Sequence, residues 1–510
     1  MADTFVGRET ELTALCAAFE RASGGHTQLL IAVGEPGVGK TRLAERWSQE
    51  HVERGPILWA RCYEHQGTPP FWLWVQPLRA YLRSLDDGEV QDIAGGVAPS
   101  LVGLLPELSE RLPGVAAAPE ADDSVTARFR LYDAVTRLPQ RVARDTPLVL
   151  ILDDLHWADE ASLLLLEYLA RALRDSRLLM VGTYRDVQLG RTHHLARTLS
   201  DLTREQLFER LALPRLAEQE AATLTEAVAG RPIASNLASA MFDRTDGNPL
   251  FVTEMARVLA SSGGDEVGQR IPEGIREVIG TRLEGLSDAR NATLRWAALM
   301  RTPALSLLRE LQADVTEQAV IDGVSEALAA DVLIEAGDQA DSYNFAHALI
   351  QETVVSELLA AEQVRMHAAI AEALTRRADA RRDVDAAQLA YHSLRAEPVL
   401  DTHLVRSACG AAGDEAMAAH AFEAAQEWYG HAVDVGGAAD LGARHLYGLA
   451  RSRAALMDDL ADSPAILLPS FEHFVATNDH AMAVEVASVA EWLAFRTSNA
   501  GTTSMVERAL

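Results

Sequence analysis

Gln28-Leu29-Leu30-Ile31-Ala32-Val33 runs directly into Gly34-Glu35-Pro36-Gly37-Val38-Gly39-Lys40-Thr41, and then into Arg42-Leu43-Ala44-Glu45-Arg46-Trp47. The first segment is a short apolar run that stops at a glycine, the pattern of a buried parallel strand. The last segment has helical character. The eight residues between them satisfy G-x-x-x-x-G-K-[ST], a glycine-rich loop joining a strand to a helix N-terminus. Glycines there let backbone N–H groups turn inward around phosphate oxygens, and the helix dipole adds partial positive charge. In that geometry Lys40 neutralises the β- and γ-phosphates of a nucleotide, and the Thr41 hydroxyl ligates Mg²⁺. The expected cofactor seat is therefore Gly34, Glu35, Pro36, Gly37, Val38, Gly39, Lys40 and Thr41, with Arg42 behind it.

Lys40 stands out by count as well. It is the sole lysine among 46 basic residues; the others are arginine. Arginine serves most surface roles as well as lysine does, but it fails where a compact ammonium on a thin stem must enter a tight pocket. Chemistry alone marks Lys40 as functional.

Outward from the loop, further buried strands are expected at Ile57–Ala60, Leu148–Leu152 and Leu178–Thr183, with helices between them. Strands alternating with helices over the first 200 residues imply a parallel sheet covered on both faces. Residues 86–124, rich in Gly, Pro and Ala, read as a loose insertion with short helices. After about residue 210 the strand signal fades. Residues 214–262 look helical, broken at Thr245-Asp246-Gly247-Asn248-Pro249. Residues 270–360 are mainly helical with extended pieces at Val332–Glu335 and Ser342–Phe345, compatible with a winged helix. From about residue 361 the chain is Ala-rich, with the small/large rhythm of stacked helix pairs at Ala421-Phe422-Glu423-Ala424-Ala425 and Trp428-Tyr429, although no clean 34-residue period is visible.

Two more segments carry chemistry. Leu148-Val149-Leu150-Ile151-Leu152-Asp153-Asp154 is an apolar strand that delivers two acids at its C-terminal edge. Asp153 is expected to hold Mg²⁺, largely through water, and Asp154 to orient or deprotonate an attacking water. The plainer alternative is a strand followed by a helix cap, since Asp caps well. His156 and Trp157 read as packing and capping residues. Leu179-Met180-Val181-Gly182-Thr183-Tyr184-Arg185 ends on the same edge, where Arg185 can reach a γ-phosphate; the alternative is an arginine paired to a surface acid such as Asp186.

Composition excludes several classes. The chain has 510 residues, 48% hydrophobic and 24% charged, too apolar for a disordered or fibrous chain and long enough for three or four domains. A formal net charge of −28 disfavours bulk nucleic acid and anionic membranes as partners. Cys16, Cys62 and Cys409 share no metal-ligand spacing and fit reduced thiols. The N-terminus lacks the basic start and apolar stretch of a secretion signal, and no run reaches the ~18–20 apolar residues of a membrane span. The expectation is a cytoplasmic protein with no membrane partner.

These features jointly resemble the signal-transduction ATPases with numerous domains (STAND), within the broader AAA-like group. They look most like the ATPase core of bacterial LuxR-type large ATP-binding transcriptional regulators and their MalT-like relatives. Phe5-Val6-Gly7-Arg8-Glu9 looks like that family's opening signature, in which Gly7 and Arg8 would border the adenine site. Leu152-Asp153-Asp154-Leu155-His156-Trp157 is close to its acidic motif, and Gly182-Thr183-Tyr184-Arg185 resembles its sensor. Gly247-Asn248-Pro249-Leu250-Phe251 resembles its lid motif, whose proline, here Pro249, lies against the base. Phe345-Ala346-His347-Ala348-Leu349-Ile350 resembles the winged-helix histidine motif, in which His347 would contact the β-phosphate of ADP and hold a closed state. A satisfied histidine at a strand–helix junction is the plainer reading.

The expected architecture is an α/β P-loop NTPase domain over residues 1–210, a helical lid over 211–265, a winged-helix domain over 266–360 and TPR-like repeats over 361–510. The resemblance implies ATP/ADP and Mg²⁺ as cofactors, with Asp154, Arg185 and Lys40 in catalysis. It implies weak hydrolysis used as a switch, with an ADP-bound off state and an ATP-bound on state. A protein or small-molecule inducer would act on the repeats, with nucleotide-dependent self-association. Two other readings stay open: a constitutive AAA-type remodeller, or a DNA-binding regulator whose helix-turn-helix lies beyond residue 510. Residues 270–360 carry 7 Arg against 15 acids, and residues 301–510 carry 14 basic against 32 acidic residues, the wrong sign for a phosphate backbone. DNA contact is therefore expected only through a domain outside this chain. Met505-Val506-Glu507-Arg508-Ala509-Leu510 reads like the middle of a repeat helix, as a truncated chain would end.

Overall fold

The structure is a computed structural model. It describes residues 5–62, 68–115, 124–186, 193–261, 288–300, 302–330, 332–336, 341–380, 384–435, 439–456 and 463–497. The expectation for Met505–Leu510 falls outside them.

Five strands form one parallel sheet: β1 (Gln28–Gly34), β2 (Ile57–Arg61), β3 (Leu148–Asp153), β4 (Leu178–Arg185) and β5 (Glu209–Ala212). Their order is β2-β3-β4-β1-β5. The three central strands are apolar because both faces are covered, and successive side chains divide between two cores. Leu29, Ile31, Val33, Leu148, Leu150, Leu152, Leu178 and Met180 enter one core. Leu30, Ala32, Val149, Ile151, Leu179 and Val181 enter the other, beneath α1 (Glu9–Ser23) and α2 (Lys40–His51), whose Leu15, Phe19, Leu43 and Trp47 fill it. On the opposite face lie α3 (Trp72–Arg83), α7 (Ser124–Val142), α8 (Glu160–Ala172) and α9 (His194–Arg204).

Two expectations need correction. Residues 86–115 carry the expected short helices but are not loose: α4 (Asp87–Ala94), α5 (Ala98–Leu101) and α6 (Glu107–Arg111), with the turns joining them, bury Val90, Ala94, Ala98, Leu101, Leu105 and Leu108 in the larger core. Its glycines and prolines mark the ends of short helices, and its apolar residues hold them down. The set of expected strands also lacked one at 209–212. β5 pairs with β1 through Leu30↔Glu209 to Val33↔Ala212, but it is an edge strand whose Glu209, Arg210 and Ala212 are exposed, so it has no apolar run to read.

Three helices follow, α10 (Glu218–Ala229), α11 (Ser235–Thr245) and α12 (Pro249–Ser261), turning at Asp246 and Gly247, both in the left-handed region. The next unit comprises α13 (Asp288–Ala298), α14 (Leu305–Leu311), α15 (Glu317–Ala329), the antiparallel ribbon of β6 (Leu333–Glu335) and β7 (Tyr343–Phe345), and α16 (Ala348–Ser356), around one core that includes Leu294, Leu308, Val324, Phe345 and Val354. A helical array closes the chain: α17 (Ala360–Asp379), α18 (Ala386–Arg395), α19 (Thr402–Ala418), α20 (Phe422–Asp434), α21 (Ala439–Leu456), α22 (Ser463–Ala476) and α23 (His480–Thr497). Each packs on its neighbour in sequence. Small residues permit the approach: a side chain at Gly413 or Gly448 would strike the Tyr429 ring. Ala416, Ala421, Ala425 and Tyr429 join the core of the sheet domain, so the array docks on α7 and α8. Among the described residues, no helix is long and apolar enough to cross a membrane.

Candidate nucleotide site

All the candidate groups gather at one edge because parallel strands end together. β1 ends at Gly34, which pairs with Arg185 at the end of β4, and β2 ends at Arg61, which pairs with Asp153 at the end of β3. Between β1 and α2 the loop needs glycine at two points: Gly37 and Gly39 take φ of 79° and 97°. A Cβ on Gly37 would also lie 2.8 Å from Asn248 Oδ1.

Lys40 is 7% exposed, and its Nζ donates to the carbonyls of Gly34 and Glu35, each at 2.9 Å. Burial pulls its pKa down to about 8, against the pull of Asp154, and the Arg185 charge depresses it further. Asp153 is fully buried and accepts three side-chain hydrogen bonds: from Thr41 Oγ1 at 3.0 Å, Thr183 Oγ1 at 2.6 Å and Arg61 Nε at 3.2 Å. Thr41 and Asp153 thus bring two hard oxygen donors within hydrogen-bond reach of each other. That donor set fits Mg²⁺, which takes few protein oxygens and keeps water or phosphate in the remaining positions. The loop N–H groups and the ammonium fit the phosphates themselves.

Asp154 adopts a left-handed conformation, φ 58°, that aspartate tolerates. Its N–H donates to Thr183 Oγ1 at 2.9 Å. Burial, with the Asp153 charge beside it, pushes its pKa up to about 7, while Arg185, Arg61 and Lys40 pull it back. Its side chain makes no capping bond to the 3₁₀ turn Leu155–Trp157 that follows; the capping role belongs to Asp159, whose carboxylate accepts from Ser162 N at 2.9 Å at the start of α8. Gly182 clears the space that Leu155 fills, since a Cβ there would lie 2.7 Å from Leu155 Cδ1. His156 is buried and kept neutral, its pKa lowered to about 3 by burial and by Arg185 and Lys40.

Arg185 is not paired to Asp186, which instead holds Arg210 at 3.0 Å. Its own Nη1 lies 3.2 Å from Glu352 Oε1 on α16, so the pair bridges the sheet domain and the following unit. His347, half-buried, precedes α16, and its carbonyl accepts from Ile350 N at 3.0 Å. Its pKa is lowered to about 4 by burial and then by Arg185, Lys40 and Arg61, which puts its ring in the field of the phosphate site.

Three further candidates, Gly7, Arg8 and Pro249, border the loop. Gly7 and Arg8 are both left-handed, and Arg8 Nη2 donates to the Val38 carbonyl at 3.1 Å. Pro249 opens α12, beside Asn248, whose Nδ2 donates to the Pro36 carbonyl at 2.9 Å; Leu250 N reaches the Gly37 carbonyl at 3.2 Å. Arg42 faces outward and pairs with Glu45 at 3.3 Å.

Sequence reasoning assigned no role to Arg61, Thr183, Asn248, Arg215 or Glu352. Thr183 and Asn248 lay inside the motifs, and Arg61 follows directly on the expected strand at 57–60. Arg215, which pairs with Glu35 at 2.5 Å, and Glu352 gave no local signal, because both matter only through contacts distant in sequence.

Residues 4–181 match the AAA ATPase domain family. The chain carries an AAA ATPase domain. The match spans the phosphate loop and both acids of this domain, and it ends within β4. Over 472 residues the chain is 25% identical to an uncharacterised protein of Rhizobium meliloti (strain 1021), covering 86% of this chain and 43% of that protein. The chain therefore spans less than half the length of this curated relative. A STAND protein with a tetratricopeptide repeat sensor from Pyrococcus horikoshii aligns over 99% of this chain and 70% of its own, at 13% identity and a TM-score of 0.48. A Walker-type ATPase of Pyrococcus abyssi aligns over 69% of this chain and 97% of its own, at 16% identity and a TM-score of 0.35.

Proposed function

We propose that this chain is a nucleotide-dependent switch of the STAND type, with ATP and ADP as alternative ligands of the AAA ATPase domain. In this reading residues 1–210 bind and slowly hydrolyse ATP, 211–265 form a lid, 266–360 a winged helix and 361–510 TPR-like repeats that receive a protein or small-molecule inducer. ADP favours the closed arrangement, and ATP favours an open form that self-associates. The output, control of transcription or another response, passes through partners.

The observation that carries the reading is the seating of α16. A helix more than 150 residues away in sequence is ion-paired to Arg185 at the phosphate edge and brings His347 into the field of Lys40. A constitutive motor has no need of such a contact, whereas a switch needs a element that both nucleotides bias differently. Lys40 and the loop N–H groups bind the phosphate chain, Thr41 and Asp153 hold Mg²⁺, and Thr183 fixes the Asp153 carboxylate and the Asp154 backbone. Bound Mg-nucleotide supplies the electrophilic phosphorus and the metal's charge neutralisation. In this reading Asp154, with its pKa near neutrality, accepts a proton from water, and Gly7, Arg8 and Pro249 contact the base.

The test is the nucleotide released on denaturing protein purified without added nucleotide, together with turnover of the monomer. The switch predicts bound ADP that resists dialysis and turnover on the order of 10⁻² s⁻¹ or slower. An empty pocket with steady, partner-independent turnover on the order of 10 s⁻¹ contradicts it.

A further inference from the structure

We infer that Glu352 sets the preference of the pocket for a nucleoside diphosphate over a triphosphate, by occupying the guanidinium that a terminal phosphate would otherwise engage. The inference rests on the nucleotide reading above and adds to it the residue that discriminates between the two ligands.

Two side chains make the argument, and their burial is unequal. The Arg185 side chain is 5% exposed, while that of Glu352 is 28% exposed. A guanidinium cannot lose its proton, so at that burial it requires an anion beside it. Glu352 has no such need, since its carboxylate already touches water and is well solvated once released. Two anions therefore compete for one cation, and only one of them can leave cheaply.

Placement supports the competition. Arg185 is the last residue of β4 and lies in register with Gly34, the first residue of the phosphate loop. Its charge acts on Lys40, Asp154, His156 and His347, so it stands among the groups that surround the phosphate site. The neighbouring acid Asp186 is committed to Arg210 and offers Arg185 no alternative. On this proposal a diphosphate stops short of Arg185, Glu352 keeps its partner and α16 stays seated. A triphosphate brings a second, more highly charged anion to the same guanidinium. Because Glu352 and His347 belong to the same helix and its N-terminal turn, release at Glu352 loosens the helix that carries both. Glu352 is thus a positioning residue that acts through Arg185 and need not touch the nucleotide.

The test is calorimetric titration of the full, nucleotide-stripped chain with ADP and with a non-hydrolysable ATP analogue, both with Mg²⁺. In Glu352→Gln the analogue should bind at least about tenfold more tightly, since a charge-assisted contact no longer has to be broken. ADP affinity should stay within about twofold of wild type. Arg185→Gln should lose affinity for the analogue alone, and adding Glu352→Gln in that background should bring no gain. Glu352→Asp, which withdraws the carboxylate by one methylene, reads the same effect at smaller amplitude should the Gln variant fail to fold. Equal shifts for both ligands, no shift, or a gain that persists without Arg185 would overturn the inference while leaving the nucleotide site standing. A folded wild-type chain that binds neither ligand would remove the nucleotide reading, and this inference with it.

Discussion

Asp154 combines three properties: a left-handed backbone, a backbone hydrogen bond to Thr183, and a carboxyl pushed up to about 7 by burial beside Asp153. A carboxylate of that pKa is a better base than an ordinary aspartate and is still ionised in part at neutral pH. Asp154→Asn removes the proposed base and keeps the shape. It should bind Mg-nucleotide within a few-fold of wild type and lose roughly 10²-fold or more in single-turnover hydrolysis. Parallel loss of binding would show that Asp154 is a structural residue. At this scale the phosphate loop and the two acids were legible because each is a contiguous run with its own chemistry. Arg61 and Thr183 escaped because their importance is lateral. They flank Asp153 through strand pairing and side-chain contact, which a single strand read in isolation cannot reveal.

At the scale of elements, the strands that were easy to read are those whose two faces are both covered, and β5 was missed because its outer edge is wet. The short helices α4 to α6 were expected but their packing was missed, since glycine and proline at helix ends look like loop composition until their apolar residues are placed. A contact invisible to motif reading lies between α17 and α18, where His367 Nδ1 and His392 Nδ1 approach to 2.8 Å in a buried setting. Burial lowers His367 to about 4, with Arg395 adding to it, and holds His392 well below its ordinary value, with His367 adding to it. The folded state therefore favours neutral rings. Their contribution is present above the unfolded pKa of about 6.5 and is lost as pH falls through it toward the folded values. Between pH 7 and pH 5 the chain should lose on the order of 2 kcal/mol of stability from His367 alone, with His392 adding to the loss. The His367→Leu/His392→Met double variant should lack that part of the slope in urea unfolding. An unchanged pH profile in the variant would contradict the assignment.

For the whole molecule, two seams join the AAA ATPase domain to the rest of the chain. One is the phosphate edge, where Asn248 and Arg215 hold the segment of α10 to α12 against the loop and Glu352 holds α16 against Arg185. The other lies on the far face, where Arg128 pairs with Glu423 at 3.0 Å and stacks over Phe422, and the core of the domain continues into α19 and α20. The helical array is thus packed on the domain whose ligand it would report, which gives an inducer bound there a physical route to the pocket. The parallel sheet and the helical remainder could be foreseen from the sequence patterns. The seams could not, since they are built from ion pairs, a hydrogen bond and apolar contacts between segments more than 150 residues apart in sequence.

The central claim is that Lys40, Thr41 and Asp153 form one nucleotide pocket. Equilibrium titration of ADP and Mg²⁺ into wild-type and Lys40→Ala chains tests it most directly. Saturable wild-type binding, lost by about 10²-fold or more in a Lys40→Ala chain that still folds, is the predicted result. Equal affinity in the two chains would contradict it.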